Sequence, residues 1–282
     1  MAGSNNWRKR WFPTVVVPMV AAGAVLGSVV VGGPANATTP TVTAERARPT
    51  VVLEHGAFAD GSSWSSVITR LRADGYPVVA PANPLRGPAA DAAVLRSVLD
   101  GIQGPKVLVG HSYGGSVISA AGANDPEVKA LVYVAAFLPA PGETALELTN
   151  KFPGSTLPDA LNPITYTPAG GTATTDLYIR ADKFRHQFAA DVPAAQAAVM
   201  AAAQRPVAQS ALAEKATAAA WQEKPSWDIV TTQDLNIPAA AQLYMARRAH
   251  AHVTEVAASH SVAVSHPALV AQVIEEAARA GR

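Results

Sequence analysis

Pro105-Lys106-Val107-Leu108-Val109-Gly110-His111-Ser112-Tyr113-Gly114-Gly115-Ser116-Val117-Ile118 is the stretch on which the reading of this chain turns. An apolar, strand-like run feeds a serine that has glycine two residues to either side, and an apolar, helix-like run follows. In such a strand–turn–helix the positions two before and two after the serine crowd one another, so only the smallest side chains fit there. The serine itself is held in strained backbone, with its Oγ raised above the end of the strand. Ser112 is therefore a candidate nucleophile. A bare G-x-S-x-G match fits an idle serine in a glycine-rich turn equally well, and the strand before it and helix after it separate the two readings.

The same rhythm extends in both directions. Thr50–Glu54 reads as a buried strand, Trp64–Ala73 as an amphipathic helix, Tyr76–Ala80 as a strand and Ala89–Ile102 as a helix. Lys106–Val109, Gly114–Ala123 and Val128–Ala136 continue as strand, helix and strand. Near-continuous apolar strands separated by helices predict an α/β fold, a mostly parallel sheet with helices on both faces. From Leu138 to Trp221 the alternation stops. Ile164–Thr167 and Thr175–Ile179, around a Pro-Ala-Gly-Gly turn, predict a hairpin, and alanine-rich helices follow, so residues 138–221 read as a cap inserted into the fold. Strand and helix resume at Trp227–Thr231, Ala239–Ala249, Val253–Val256 and Pro267–Ala280.

A length of 282 residues suits one large α/β domain with an insertion, here residues 50–282. A formal net charge of +1 gives no reason to expect nucleic acid or an acidic polymer as partner. The absence of cysteine removes disulfides, thiolate metal sites and cysteine nucleophiles together. Residues 1–37 have the order of a signal peptide: Arg8-Lys9-Arg10, an apolar stretch from Val15 to Val31, and Ala35-Asn36-Ala37 as the small-x-small cleavage pattern. The apolar stretch is nearly long enough for a membrane anchor, but Pro18, Gly23, Gly27 and Gly32-Gly33-Pro34 favour a cleaved signal. The basic cluster lacks an adjacent arginine pair, which weakens a twin-arginine route. Cleavage after Ala37 leaves a secreted chain beginning at Thr38, with formal charge −2, no stable membrane association and a flexible polar lead-in over residues 38–49.

A serine is inert near neutral pH without a base, and the base needs an acid to orient it. In a sheet of this kind they follow in the order serine, acid, histidine, each in a loop after a strand. Asp234, after the Ile229–Thr232 strand end, is the first candidate acid, against a plain turn or helix-capping role. Glu143, after the strand ending at Ala136, is the substitute, whereas Asp228 and Glu255 lie within strands. Of seven histidines, His260 immediately follows the last strand and is the candidate base. His266 precedes Pro267 and reads as a capping residue, His111 as locked in the turn and facing away, and His186 as part of the insertion. His250 and His252 form a His-x-His pair with no third ligand near in sequence, so no metal is expected. The oxyanion needs two N–H donors, one after the nucleophile and one after the first strand, which assigns Tyr113 and Ala57. In the latter segment Gly56 permits close backbone approach and His55 reads as a brace.

His55-Gly56-Ala57-Phe58-Ala59-Asp60-Gly61-Ser62-Ser63-Trp64, Gly110–Gly115 and the Asp234 and His260 segments together resemble the α/β-hydrolase superfamily over roughly Thr50 to the C-terminus. The nearest resemblance is to the branch of plant methyl-salicylate esterases and hydroxynitrile lyases, and to bacterial carboxylesterases. It implies a serine hydrolase of small carboxylic esters that works through an acyl-enzyme without a cofactor. Hydroxynitrile lyases of this branch carry threonine after the first-strand histidine and lysine after the catalytic histidine, where this chain has Gly56 and Ser261, a departure that disfavours the lyase reading. A lactonase, a hydroxynitrile-lyase-like enzyme using the same triad, or a ligand receptor that kept the fold remain the alternatives.

Overall fold

The computed structural model describes residues 48–281; the expected signal peptide and residues 38–47 of the lead-in lie outside them. Six parallel strands form the central sheet in the order β2-β1-β3-β4-β8-β9. They are β1 (Thr50–Glu54), β2 (Val78–Val79), β3 (Lys106–His111), β4 (Val128–Val134), β8 (Ser226–Thr231) and β9 (His252–Val256). Every residue of β3 and β8 is buried, as expected of strands covered on both faces. Val51, Leu53, Val107, Val109, Val132 and Ile229 pack to one side, against α1 (Ser65–Ala73) and α11 (Pro267–Ala280). Val52, Leu108, Leu131 and Tyr133 pack to the other, with α2 (Pro88–Asp100), α3 (Tyr113–Ala121) and α9 (Ala239–Arg248). Each fully buried Val or Leu contributes about 1.5–3 kcal/mol. The expected α/β architecture is the one observed.

Pro88 and Pro267 occupy the starts of α2 and α11, where a missing N–H costs nothing. The differences from expectation lie at edges. Tyr76–Ala80 shrinks to the two residues of β2, an edge strand that meets only β1 through the register Val51–Val78 and Val52–Val79, with Pro77 just before it. β4 stops at Val134 rather than Ala136 because Ala135 takes a left-handed φ of 46°. β3 runs on to His111, which brings the strand right up to Ser112.

Between β4 and β8 the chain builds a second, antiparallel sheet, β5 (Leu161–Tyr166), β6 (Thr174–Ile179) and β7 (Val207–Ala208), in that order. Five helices accompany it: α4 (Ala145–Asn150), α5 (Leu157–Ala160), α6 (Ala181–Phe188), α7 (Ala194–Ala203) and α8 (Gln209–Ala213). Thr144 and Glu147 close a reciprocal capping box at the start of α4. The two sheets are joined through the loop between β2 and α2: Arg86 pairs with Asp176 of β6 at 2.7 Å, and the Ala208 N–H donates to the Leu85 carbonyl at 3.0 Å.

Candidate active site

The chain leaves β1 to one side for β2 and then crosses to the other for β3, so the strand order reverses between β1 and β3. A doubly wound sheet opens a crevice outside the carboxyl ends of its strands at such a point. His55-Gly56-Ala57 leaves β1 there, and Ser112 leaves β3. Ser112 sits at φ 54°, ψ −122°, a conformation that costs a non-glycine residue about 1–3 kcal/mol. Its N–H donates to the Val134 carbonyl at 3.2 Å, and its own carbonyl accepts from Gly115 at 3.0 Å and Phe137 at 3.1 Å. A Cβ on Gly110 would stand 2.6 Å from the Gly114 carbonyl oxygen, and one on Gly114 2.5 Å from that of Glu54. The expected crowding of these two positions is present in the turn.

His260 Nδ1 and Asp234 Oδ2 are 2.7 Å apart, with side chains 1% and 0% exposed. The rest of the Asp234 carboxylate is fully engaged. Oδ1 accepts from the Asn236 N–H at 2.7 Å and the Ile237 N–H at 3.0 Å, while Oδ2 also accepts from Thr231 Oγ1 and Gln242 Nε2, each at 3.0 Å. Gln242 itself donates to the Ile237 carbonyl at 2.8 Å and accepts from the Thr231 N–H at 3.0 Å, which locks the loop after β8 onto α9. Thr231 and Gln242 were not found from sequence; a glutamine on the buried face of a helix eight residues after the candidate acid was the available signal.

The competing residues are engaged elsewhere. Glu143 pairs with Arg248 at 2.7 Å and accepts from the Ala140 N–H at 2.9 Å, contacts that outweigh burial and hold its carboxyl below the usual range. His266 lies at the start of α11, bonded to Ser265 Oγ at 2.9 Å and 3.7 Å from the Asp191 carboxylate. His252 stacks on Trp227. His111 differs from expectation. Rather than facing away, its ring lies 4.7 Å from that of His260, and its Nε2 donates to the His260 carbonyl at 2.9 Å. Burial, then the neighbouring His260, push its pKa down to about 3, so the ring is neutral and its proton stays on the nitrogen that braces the loop.

The first loop is braced in the same manner. His55 Nε2 accepts from the Asn83 N–H at 3.0 Å, which leaves Nδ1 to donate to the Gly56 carbonyl at 3.0 Å. A Cβ on Gly56 would lie 2.7 Å from that of Ser112, so glycine is what brings Ala57 against the turn. The Phe58 N–H is taken by the Arg205 carbonyl at 3.0 Å. Tyr113 opens α3, where a backbone N–H has no partner within the helix. Its hydroxyl donates to Asp91 Oδ2 at 2.6 Å. Ala57, Phe58, Ser112 and Tyr113 line a cavity of about 80 Å³ whose opposite wall includes Leu146, Leu157 and Leu212 of the insertion. A wider depression of about 670 Å³ lies at the other end of the sheet, around Lys106 and Asn124, away from these residues.

The insertion also grips the His260 loop. Asp191 accepts from the Ser259 N–H at 3.2 Å and from Ser259 Oγ, and Ser261 Oγ donates to the Phe188 carbonyl at 2.8 Å. Phe188 packs edge-on to the His260 ring at 5.0 Å.

Glu54, at the end of β1, is buried with Oε2 unpartnered. Burial, then the charge of Asp91, raise its pKa to about 8. Folding therefore takes up a proton between the ordinary value of 4.5 and about 8, and this contribution to stability, full below 4.5, is lost as pH rises through that window. Glu54→Gln removes the titration. The variant is expected to gain in Tm over the wild type at pH 8 and not at pH 5; equal shifts at both pH values would contradict the assignment.

The chain is 29% identical over 258 residues to a pyrethroid hydrolase of Sphingobium wenxiniae, covering 82% of this chain and 88% of that protein. It is 34% identical over 115 residues to a carbendazim hydrolyzing esterase of a Nocardioides species, covering 36% of this chain and 47% of that one. The fold superposes on the crystal structure of polyneuridine aldehyde esterase with a TM-score of 0.71 at 18% identity, over 81% of this chain and 98% of that one. The model of the alpha/beta hydrolase family matches residues 51–273, and the chain belongs to that family.

Proposed function

We propose that this protein is a serine hydrolase that cleaves small carboxylic esters through an acyl-enzyme intermediate. The observation that carries the reading is the buried 2.7 Å pair of His260 and Asp234 at the end of the sheet where Ser112, at φ 54°, leaves β3 next to His111, whose ring lies 4.7 Å from that of His260. Ser112 Oγ attacks the acyl carbon, and His260 takes its proton and passes it to the leaving alcohol. Asp234 holds the imidazole in the tautomer that accepts at Nε2 and stabilises the cation that forms. The N–H groups of Ala57 and Tyr113 receive the oxyanion, each such donor being worth about 3–4 kcal/mol in the transition state. Water then releases the acid by the same steps in reverse. The relatives named as a hydrolase and an esterase support this chemistry.

A cavity of about 80 Å³ is small against the ~300–1,000 Å³ of common ligand sites, which favours short acyl groups. The insertion's longest helix, α7, has 10 residues, too little for a broad interfacial face. Acetate and butyrate esters are expected to exceed palmitate esters in kcat/KM. A palmitate preference with a rate jump above the substrate's micellar concentration would make the protein a lipase instead, and no turnover on any ester would favour the receptor reading.

The order of residues 1–37 supports secretion as part of this proposal. Mass spectrometry of the protein from its host is expected to find Thr38 at or near the N-terminus in the extracellular fraction; intact chain in the cytosol would refute it.

A further inference from the structure

His111 ends β3 and directly precedes Ser112, so a single peptide link ties its backbone to the candidate nucleophile. That turn is itself pinned to β4 by the bond from the Ser112 N–H to the Val134 carbonyl. The imidazole of His111 is buried and packed on three sides. Trp64 meets it edge-on at 6.3 Å, Phe188 meets it edge-on at 6.1 Å, and the ring of His260 lies 4.7 Å away. From this fixed place its Nε2 reaches the His260 carbonyl at 2.9 Å.

Asp234 holds the base at one point only, Nδ1. An imidazole held there alone can swing about that contact, and where its Nε2 comes to rest depends on the backbone from which the side chain springs. Ser259 and Ser261, on either side, are bonded to the insertion. The carbonyl of His260 itself is bonded to the residue beside the nucleophile. Resting on the ester-hydrolase reading, we infer that His111 is a positioning residue for catalysis: its bond to the His260 carbonyl sets the base in register with Ser112 before any substrate arrives. A carbonyl can only accept, so Nε2 of His111 must carry the proton, and the burial that keeps the ring neutral leaves that single proton where the bond needs it. Neutrality matters a second time. When His260 takes the serine proton it becomes a cation, and an uncharged neighbour at 4.7 Å adds no repulsion, as a lysine or arginine would.

The test is steady-state kinetics on p-nitrophenyl acetate, with thermal melts, for three variants. His111→Leu keeps much of the bulk and removes the donor. It is expected to lower kcat by about a hundredfold, the cost of misplacing reacting groups by ~1 Å, with KM changed less than about threefold. His111→Gln can set an amide N–H where the Nε2–H stands and is expected to recover kcat to within about fivefold of the wild type. His111→Asn carries the same amide one carbon shorter, does not reach the carbonyl, and is expected to fall with His111→Leu. A His111→Leu enzyme that melts earlier but keeps wild-type kcat overturns the inference by making the bond merely structural. A glutamine variant no faster than the asparagine variant overturns it as well, and that contrast decides the matter even if the leucine variant does not fold. Either result leaves the ester reading intact, whereas a wild type that turns over no ester overturns that reading and this inference with it.

Discussion

Ser112→Ala is expected to abolish covalent labelling by a fluorophosphonate and to lower kcat on p-nitrophenyl acetate by about a million-fold, the scale on which nucleophile deletions act in a cooperating triad. The residual rate would come from the oxyanion donors and from binding, which survive the change. The substitution leaves the turn intact, because alanine fits wherever serine does and the crowding at Gly110 and Gly114 is untouched. A second variant separates chemistry from architecture. Ser112→Gly relieves a φ of 54° and is expected to raise stability by up to about 1–3 kcal/mol while remaining inactive, a gain read as a higher Tm. Normal ester turnover by Ser112→Ala would end the serine mechanism.

Asp234→Asn is expected to lower kcat by about ten-thousand-fold with little change in KM, because an amide favours the wrong imidazole tautomer and gives no charge to the imidazolium. His260→Ala is expected to match Ser112→Ala, and the double variant to be no worse than either alone, since residues that act as a unit do not add. Glu143→Gln and His266→Ala are the controls. Glu143 braces Arg248 and the turn at Ala140, and His266 sits among Ser265 and Asp191, so both changes should move kcat by only a few fold. Steady-state kinetics and thermal melts on the four variants decide it; an inverted ranking of the two histidines or the two acids would reassign the base or the acid.

What the sequence made legible was local. The run Lys106–Ile118 states its strand, its turn and its helix within fourteen residues of Pro105, and the strand–helix rhythm states the sheet. Asp234 and His260 could be chosen because each directly follows a strand. Illegible were contacts that exist only after folding. His111 meets the His260 carbonyl across 149 positions of chain, and no pattern around either residue encodes the meeting. Asp191 reaches Ser259 across 68 positions from within an alanine-rich segment whose periodicity says little. The extent of β2 was misjudged because Val78 and Val79 are strand formers, while an edge position and Pro77 limit how much ladder they form. The short helices of the insertion, four to ten residues each, fall below the length at which periodicity identifies a helix.

The bonds that Asp191 and Phe188 make to the two neighbours of His260 carry a lesson for engineering. In a modular enzyme the segment above the pocket can be traded for another to change selectivity, because the machinery below does not depend on it. Here one insertion supplies both Leu146, Leu157 and Leu212 to the wall of the pocket and Asp191 and Phe188 to the histidine loop, so exchanging the segment disturbs both. A chimaera that imports a foreign insertion without a carboxylate for Ser259 and a carbonyl for Ser261 would acquire a new pocket together with a looser His260 loop. Selectivity in this scaffold is better altered one side chain at a time.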